Sequence, residues 1–317
     1  MGFDVASIGE MQELFKLNCT GDRMIFANPV KVKKQLTFAK ERDVKMMTFD
    51  STEELHKIKD HFPEALAVVR IRTHNTGARY DLSEKFGAAM ESIPELLKCA
   101  NDLGIRVKGV SFHVGTGGVQ AQAYIPCLEN VKKIFEQNIE LGYEPMDLVD
   151  IGGGYSFVCS AAKNQSIENN FVRVGSTLRT KIDELFPDQS IRIIAEPGTY
   201  LCESTFFLAS QITGQKEVES GGRHYFVNNG VYQGYCVRLF GEDMELQPLD
   251  PEAESRDKLQ STWWGQTCDS IDWIARDVLH PAMETGEWVV TQNHGAYHKD
   301  LSSRFNGFEF PEVYYIE

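Results

Sequence analysis

The sequence is short of several things, and each shortage excludes something. No apolar run approaches the roughly 18 residues that a membrane-spanning helix requires, so a membrane is not an expected partner. Basic charge is in the minority: 32 Lys and Arg stand against 46 Asp and Glu, a formal net charge of −14. A phosphate backbone wants a basic face, which argues against nucleic acid as a partner. The acidic balance serves solubility first and is compatible with a small cationic substrate. The seven cysteines (Cys19, Cys99, Cys127, Cys159, Cys202, Cys236 and Cys268) are odd in number, scattered and without a C-x-x-C pair. They read as free thiols in a reducing compartment. With no targeting segment recognised, the expected location is cytoplasmic. There is no G-x-S-x-G, no Walker A and no dinucleotide G-x-G-x-x-G after a first strand. His294 and His298 in "HGAYH" have half of a zinc spacing, but no third ligand lies at a suitable distance along the chain, so no metal is expected.

What the sequence does have is alternation. Strand-like runs fall at Gly2–Ala6, Met24–Ala27, Lys45–Phe49, Leu66–Ile71, Val107–His113, Asp147–Ile151 and Ile191–Glu196, with helical patterns between them. Ser7 reads as the cap of a helix starting near Ile8. In "ESIPELLKCANDLG", Ser92 and Glu95 form a capping-box pattern and Gly104 stops the helix. In "LENVKKIFEQNIELG", Leu128, Val131, Phe135 and Ile139 share a face. Apolar strands joined by helices predict a buried parallel sheet, either open and doubly wound or closed as a barrel. Seven strands favour a (β/α)8 barrel lacking its first strand. After about Leu201 the texture turns to strands broken by Gly-Gly and Asn-Gly turns. "LDPEAESRDKLQ" reads as a solvated loop, and "EWVVTQN" and "EVYYIE" read as strands. The expected organisation is a barrel domain over 1–201 and a mostly β domain over 202–317.

The candidate chemistry gathers at strand ends. Gly152, Gly153 and Gly154 in "DIGGGY" read as a tight turn or as a nest of backbone N–H groups for phosphate. A second glycine turn at Gly198, in "AEPGTY", favours phosphate, because barrel phosphate sites form from the loops after the last two strands. Glu196 at a strand end can hold a protonated ring nitrogen. His113, Arg70 and Asp4 end other strands on the same face. In "WGQTCDSID", Cys268 can act as nucleophile or proton donor, and Asp269 can hold an ammonium group.

The segments "FDVAS", "FANP", "MMTFDS", "KFGA", "GVSFHVGTG", "DIGGGY", "RIIAEPG", "NNGVY", "WGQTCDSID", "GAY" and "FNGF" occur in this order in eukaryotic ornithine decarboxylases. The sequence resembles that family over essentially its whole length. The resemblance implies pyridoxal 5'-phosphate as cofactor, and an alanine-racemase-like barrel with a β domain. It also implies a head-to-tail homodimer with shared active sites. It implies that Gly152, Gly153, Gly154 and Gly198 cradle the cofactor phosphate, with Thr116 and Tyr297 near it. Glu196 would pair with the pyridinium nitrogen, His113 stack on the ring, and Asp4 and Arg70 support the ring and phosphate surroundings. Cys268 would return a proton after carbon dioxide leaves, and Asp269 would bind the distal amine, both in the partner subunit's site. Phe240 would lie beside the substrate, and Lys85 and Asp272 would form an ion pair across the dimer.

Three departures from the family pattern bear on function. The lysine that binds the cofactor lies in the family on the first barrel strand, in a "FYAVK" type segment that this sequence does not contain. The family's phosphate-binding Arg after "AEPG" is Thr199, whose lost charge-assisted pair costs on the order of 1.5–3 kcal/mol. The family's substrate-binding Asp falls on Gly241, leaving Glu242 and Asp243 as the nearest acids. Two functions are therefore expected. One is decarboxylation of a basic amino acid, L-ornithine to putrescine first. The other is that of a non-catalytic paralogue which, like an antizyme inhibitor, binds a regulator.

Overall fold

Strands buried on both faces organise the first part of the chain. The structure, a computed structural model, describes residues 1–74, 77–116, 120–155, 167–219 and 221–316. It divides into two units, Met1–Pro197 and Gly198–Glu317. In the first unit, β1 (Phe3–Val5), β2 (Met24–Phe26), β3 (Met46–Phe49), β4 (Leu66–Arg70), β5 (Arg106–Ser111), β6 (Leu148–Asp150) and β7 (Arg192–Ile194) lie side by side in chain order. Every pairing is parallel. The crossovers are α1 (Ile8–Lys16), α2 (Lys33–Glu41), α3 (Thr52–His61), α4 (Ile93–Asp102), α5 (Ile125–Glu140) and α6 (Ile167–Leu185).

Alternate strand residues divide between two cores. Met24, Phe26, Met47, Phe49, Ala67 and Val69 pack with helix residues such as Met11, Leu36, Leu55 and Leu97. Ile25, Met46, Val68 and Leu148 form a separate cluster, with Ala27, Leu66 and Ile194 against it. A sheet that buries its second face on its own side chains is curled, and among the described residues this is a (β/α) barrel of seven strands with β1 and β7 at its edges.

Local signals held in part. Ser7 Oγ accepts the Glu10 N–H and caps α1, and Ser51 does the same for α3. Ser92 forms no capping box. The chain enters α4 through a 3₁₀ turn, Met90–Ser92, which leaves Ser92 helical, and its hydroxyl donates back to Ala89 O at 2.8 Å. Gly104 ends the segment at φ +65. In α5, Leu128, Val131, Ile134 and Phe135 are buried, but Ile139 is exposed. At that last turn Asn138 takes the inward place and donates to Glu144 O.

The second unit holds a short helix α7 (Gly198–Cys202) and a six-stranded sheet of β8 (Leu208–Glu217), β9 (Arg223–Val227), β10 (Gln247–Pro248), β11 (Lys258–Trp264), β12 (Trp273–Pro281) and β13 (Trp288–Thr291). The order is β10-β13-β8-β9-β11-β12, antiparallel except where β9 meets β11. Trp263 and Tyr225, both fully buried, stack at 4.4 Å in its core. The Asn-Gly pair after β9 leads into turns rather than a strand. The charged segment at 249–260 folds a 3₁₀ turn, Pro251–Ser255, that buries Ala253, and then supplies β11. "EVYYIE" is not a strand: no other strand pairs with it among the described residues, and Tyr314, Tyr315 and Ile316 are exposed. Six described cysteines are free thiols, and Cys159 lies outside the described residues. Among the described residues no helix is long and apolar enough to cross a membrane.

One buried ion pair ties the loop after β2 to α3 in the first unit. Lys31, after β2, meets Glu54 in α3 at 2.9 Å, with both side chains inaccessible. Lys31 Nζ also donates to Thr48 O at 2.6 Å and to Asn28 O at 3.1 Å. Burial, opposed by Glu54, pushes the Lys31 amine down to about 8. Removing one partner of such a pair strands the other. Glu54→Gln is expected to destabilise the first unit by about 3–5 kcal/mol in urea unfolding near pH 6. Without Glu54 the folded state holds the Lys31 proton less tightly than the parent does. The deficit is therefore expected to shrink as pH rises toward 8. A constant deficit across that range would show that the pair does not hold the loop to α3.

Candidate functional site

The turn after β6 lies against the turn after β5 so closely that side chains do not fit. A Cβ on Gly152 would meet Phe112 O at 2.1 Å, one on Gly153 would meet His113 Nε2 at 2.6 Å, and one on Gly154 would meet Gly115 O at 2.6 Å. Gly152 and Gly154 also have positive φ, +61 and +101. The Gly152 N–H is committed to Asp150 Oδ1 at 2.9 Å. Those of Gly153 and Gly154 carry no hydrogen bond among the described residues. Tyr124, fully buried, fixes the turn from below by donating to Gly153 O at 2.9 Å. Thr116 pairs with Tyr80 through two backbone hydrogen bonds.

Around this turn the strand ends bring charges together. Asp4 lies on β1, Arg70 ends β4, Asp150 ends β6, and Glu196 follows β7 with its N–H donating to Gly152 O at 2.8 Å. Burial first, then the adjacent Asp150, raises Glu196 well above the ordinary carboxylate range, against the pull of Arg70. Burial likewise pushes Asp150 up to about 6. Surrounding protein, then Glu196 and Glu10, raises Asp4, although solvent at its strand edge moderates the effect. Burial, then Arg70, pushes His113 down to about 4, so this imidazole is neutral. Its Nδ1 accepts the Gly115 N–H at 3.0 Å, which leaves the ring proton on Nε2, over Gly153.

Pyridoxal phosphate fits this arrangement on two counts. The consecutive Gly153 and Gly154 N–H groups, with no hydrogen bond among the described residues, suit a phosphate, and a carboxyl pair whose pKa values are raised gains from a cationic ring nitrogen. Asp150 was not among the residues singled out from sequence. Its signal was an acid on the last strand residue before the glycines, the same kind of position as Glu196.

The second unit positions the other candidates. Asp269 accepts the Tyr232 hydroxyl at 2.6 Å and the Ile271 N–H at 3.0 Å, and both lower its pKa. The same contact pushes the Tyr232 phenol up to about 12. Cys268 is exposed, with its N–H on Asn306 Oδ1. Asp272, which the family resemblance points at Lys85 of a second chain, is fully buried. Its carboxylate takes Val231 N–H, Thr267 N–H and the Thr267 hydroxyl, all from its own unit. Lys85 is exposed, with its amine over Phe86. Phe240 ends a 3₁₀ turn, Cys236–Phe240, that Gly241 closes at φ +86; Glu242 and the exposed Asp243 follow. A methyl group on Gly198 would sit 3.4 Å from the Tyr297 hydroxyl. Among the described residues no cluster of His, Cys, Asp and Glu has the form of a metal site.

Comparison with known proteins bears on the family and the fold. Residues 1–203 match the family described as pyridoxal-dependent decarboxylase, pyridoxal binding domain. The chain is 36% identical to ornithine decarboxylase of Caenorhabditis elegans, over 99% of this chain and 76% of that one. It is also 36% identical to antizyme inhibitor 2 of Xenopus laevis, over 99% of this chain and 70% of that one. The arginine decarboxylase of Paramecium bursaria Chlorella virus superposes with a TM-score of 0.92 at 33% identity, covering 100% of this chain and 83% of that structure. With residues 1–203 matching that family and relatives 36% identical over 99% of its length, this chain belongs to the pyridoxal-dependent decarboxylase family.

Proposed function

We propose that this protein decarboxylates a basic amino acid, L-ornithine first, releasing putrescine. The observation that carries the reading is Glu196 beside Asp150, raised well above the ordinary carboxylate range and bonded through its N–H to Gly152 O next to the open N–H groups of Gly153 and Gly154. Bound pyridoxal phosphate supplies the electron sink for the pair left when carbon dioxide departs. Glu196 and Asp150 would hold the ring nitrogen, the N–H groups of Gly153 and Gly154 the phosphate, and neutral His113 the ring face. Asp4 and Arg70 set the charge around them. Asp269, kept ionised by Tyr232, binds the distal ammonium group of the substrate. Cys268 Sγ holds the proton that replaces the carboxylate. By the family resemblance these last two act from one chain on the site of the other in a homodimer, with Phe240, Glu242 and Asp243 facing the substrate and Lys85 at the contact.

A second reading is supported by Thr199 and by the similarity to an antizyme inhibitor. A chain without the phosphate-binding Arg holds the cofactor less firmly, and the fold would then serve to bind a regulator. Release of carbon dioxide from ornithine, lysine and arginine, measured beside cofactor retention on gel filtration, separates the two. Turnover of ornithine with retained cofactor supports the enzyme. Neither turnover nor retention overturns it in favour of the regulator-binding paralogue.

In the enzyme, Cys268→Ala is expected to lower turnover by roughly 10²- to 10⁴-fold, the usual worth of a positioned proton donor. Asp269→Asn is expected to raise KM by about 10- to 100-fold through loss of a charge-assisted hydrogen bond. Steady-state kinetics on ornithine check both, and unchanged values would remove these residues from the site.

His113 also makes a pH prediction. The unfolded chain takes this proton near pH 6.5, as a free imidazole does, and the folded chain only near 4. Its contribution to stability is therefore complete above about pH 6.5 and is lost as pH falls toward 4. Urea midpoints at pH 7 and 5 are expected to fall less with acid in His113→Asn than in the parent.

A further inference from the structure

Tyr297 is a side chain in an expensive backbone conformation. Its φ is +59, in the left-handed region where a non-glycine residue costs roughly 1–2 kcal/mol. Something in its surroundings must hold it there. Asn293, four residues earlier, has φ +56, so the segment 293–298 contains two such residues.

The support is visible on both sides of Tyr297. His294 and His298 stack face to face, ring centroids 3.6 Å apart and planes 23° from parallel. Both rings address one acceptor: His294 Nε2 lies 2.7 Å, and His298 Nδ1 3.1 Å, from Gly234 O. A carbonyl oxygen has two lone pairs and can take both donors. The geometry therefore puts the ring protons on His294 Nε2 and His298 Nδ1. His294 Nδ1 is then an acceptor, buried without a partner among the described residues, and a second proton there would have no acceptor. The backbone around the pair is also tied: His294 N–H donates to Phe206 O at 2.8 Å and Gly295 N–H to Glu203 O at 3.0 Å. The Ser302 hydroxyl bonds His298 O at 2.9 Å.

We infer that His294 and His298 are positioning residues that clamp the 293–298 segment to Gly234 O and so deliver the Tyr297 hydroxyl beside Gly198. The inference rests on the cofactor reading only for its consequence, that this hydroxyl meets the cofactor phosphate. The clamp itself is a statement about this unit alone. The residue types fit the role: two short side chains with neutral donors, converging on one carbonyl from either side, fix the backbone that carries Tyr297. They occupy the spacing that suggested half a metal site, and a shared carbonyl rather than a shared ion explains it.

The test has two arms on the full chain. In the first, 3-fluorotyrosine is incorporated and the Tyr297 fluorine resonance assigned by its loss in Tyr297→Phe. His294→Leu and His298→Ala are each expected to move that resonance to the position of a freely rotating tyrosine. His294→Gln and His298→Asn, which keep a donor at the place of Nε2 and Nδ1, are expected to restore it. An unmoved resonance in both donor-less variants overturns the clamp, whether or not the protein binds a cofactor. In the second arm, affinity is measured for pyridoxal phosphate and for pyridoxal. Loss of the clamp is expected to weaken pyridoxal phosphate by about 3- to 10-fold, the worth of one neutral hydrogen bond. It should leave pyridoxal unchanged and add nothing in a Tyr297→Phe background. Equal loss for both ligands, or full loss in that background, overturns the link to Tyr297. A parent chain that binds neither ligand refutes the cofactor reading, and the fluorine arm still decides the clamp.

Discussion

The mouth of the barrel depends on one close backbone contact, between the turn that follows β5 and the turn that follows β6. No side chain fits at Gly152, where a Cβ would lie 2.1 Å from Phe112 O. That approach decides where His113 rests, because its ring lies over Gly153. It decides where Glu196 stands, because the Glu196 N–H is bonded to Gly152 O. It also commits the Gly152 N–H to Asp150, so the acid that ends β6 cannot turn away from the acid that follows β7. Three consecutive glycines are thus less a flexible hinge than a fixed joint between neighbouring loops.

Charge at this joint is unbalanced by design of the strand ends. Asp4, Asp150 and Glu196 act on one another, and among the described residues the cation that opposes them is Arg70. Burial and mutual repulsion raise Asp150 and Glu196 against the pull of one guanidinium, and Asp4, open to solvent at its strand edge, adds to the negative field. Such a cluster is costly for the fold alone and is the kind of local conflict that marks a functional site. A cation entering the site would turn the conflict into attraction. His113 follows the same logic from the other side, since Arg70 and burial together keep it neutral.

Much of this was legible from residue order, because parallel strands announce themselves by being apolar on both faces. Met46 and Met47 are adjacent, yet one belongs to the inner cluster and the other to the helix side. Strand-end placement alone picked out Arg70, His113 and Glu196. What failed to show were contacts made by backbone geometry or by long-range pairing. Ser92 has the capping sequence but enters its helix already helical, so the box cannot close. The "EVYYIE" segment alternates like a strand and finds no strand beside it among the described residues. The Tyr232 hydroxyl reaches Asp269 across 37 positions of sequence, a pairing no local pattern encodes. Asp150 was hidden for a different reason: the glycines beside it drew attention to the backbone rather than to the acid.

The second unit repeats the economy of the first, with an anion in place of the glycine joint. Asp272 binds Val231 N–H on one segment and Thr267 on another. Gly230 and Gly265 must lack side chains because a Cβ on either would lie within 2.2 Å of Asp272 Oδ1. Tyr232 and Asp269, one on each segment, are therefore registered to the same carboxylate before they meet each other. Gly234 lies four residues beyond Gly230, bonded back to it through its N–H at 3.0 Å, and its carbonyl is the one that His294 and His298 share. The short stretch 230–235 consequently supports the proposed ammonium-binding Asp269 from one end and the proposed phosphate-facing Tyr297 from the other. A buried acid that satisfies three donors of its own chain is costly to remove and difficult to replace. Its position ties together the two segments that present Tyr232 and the partly exposed Asp269.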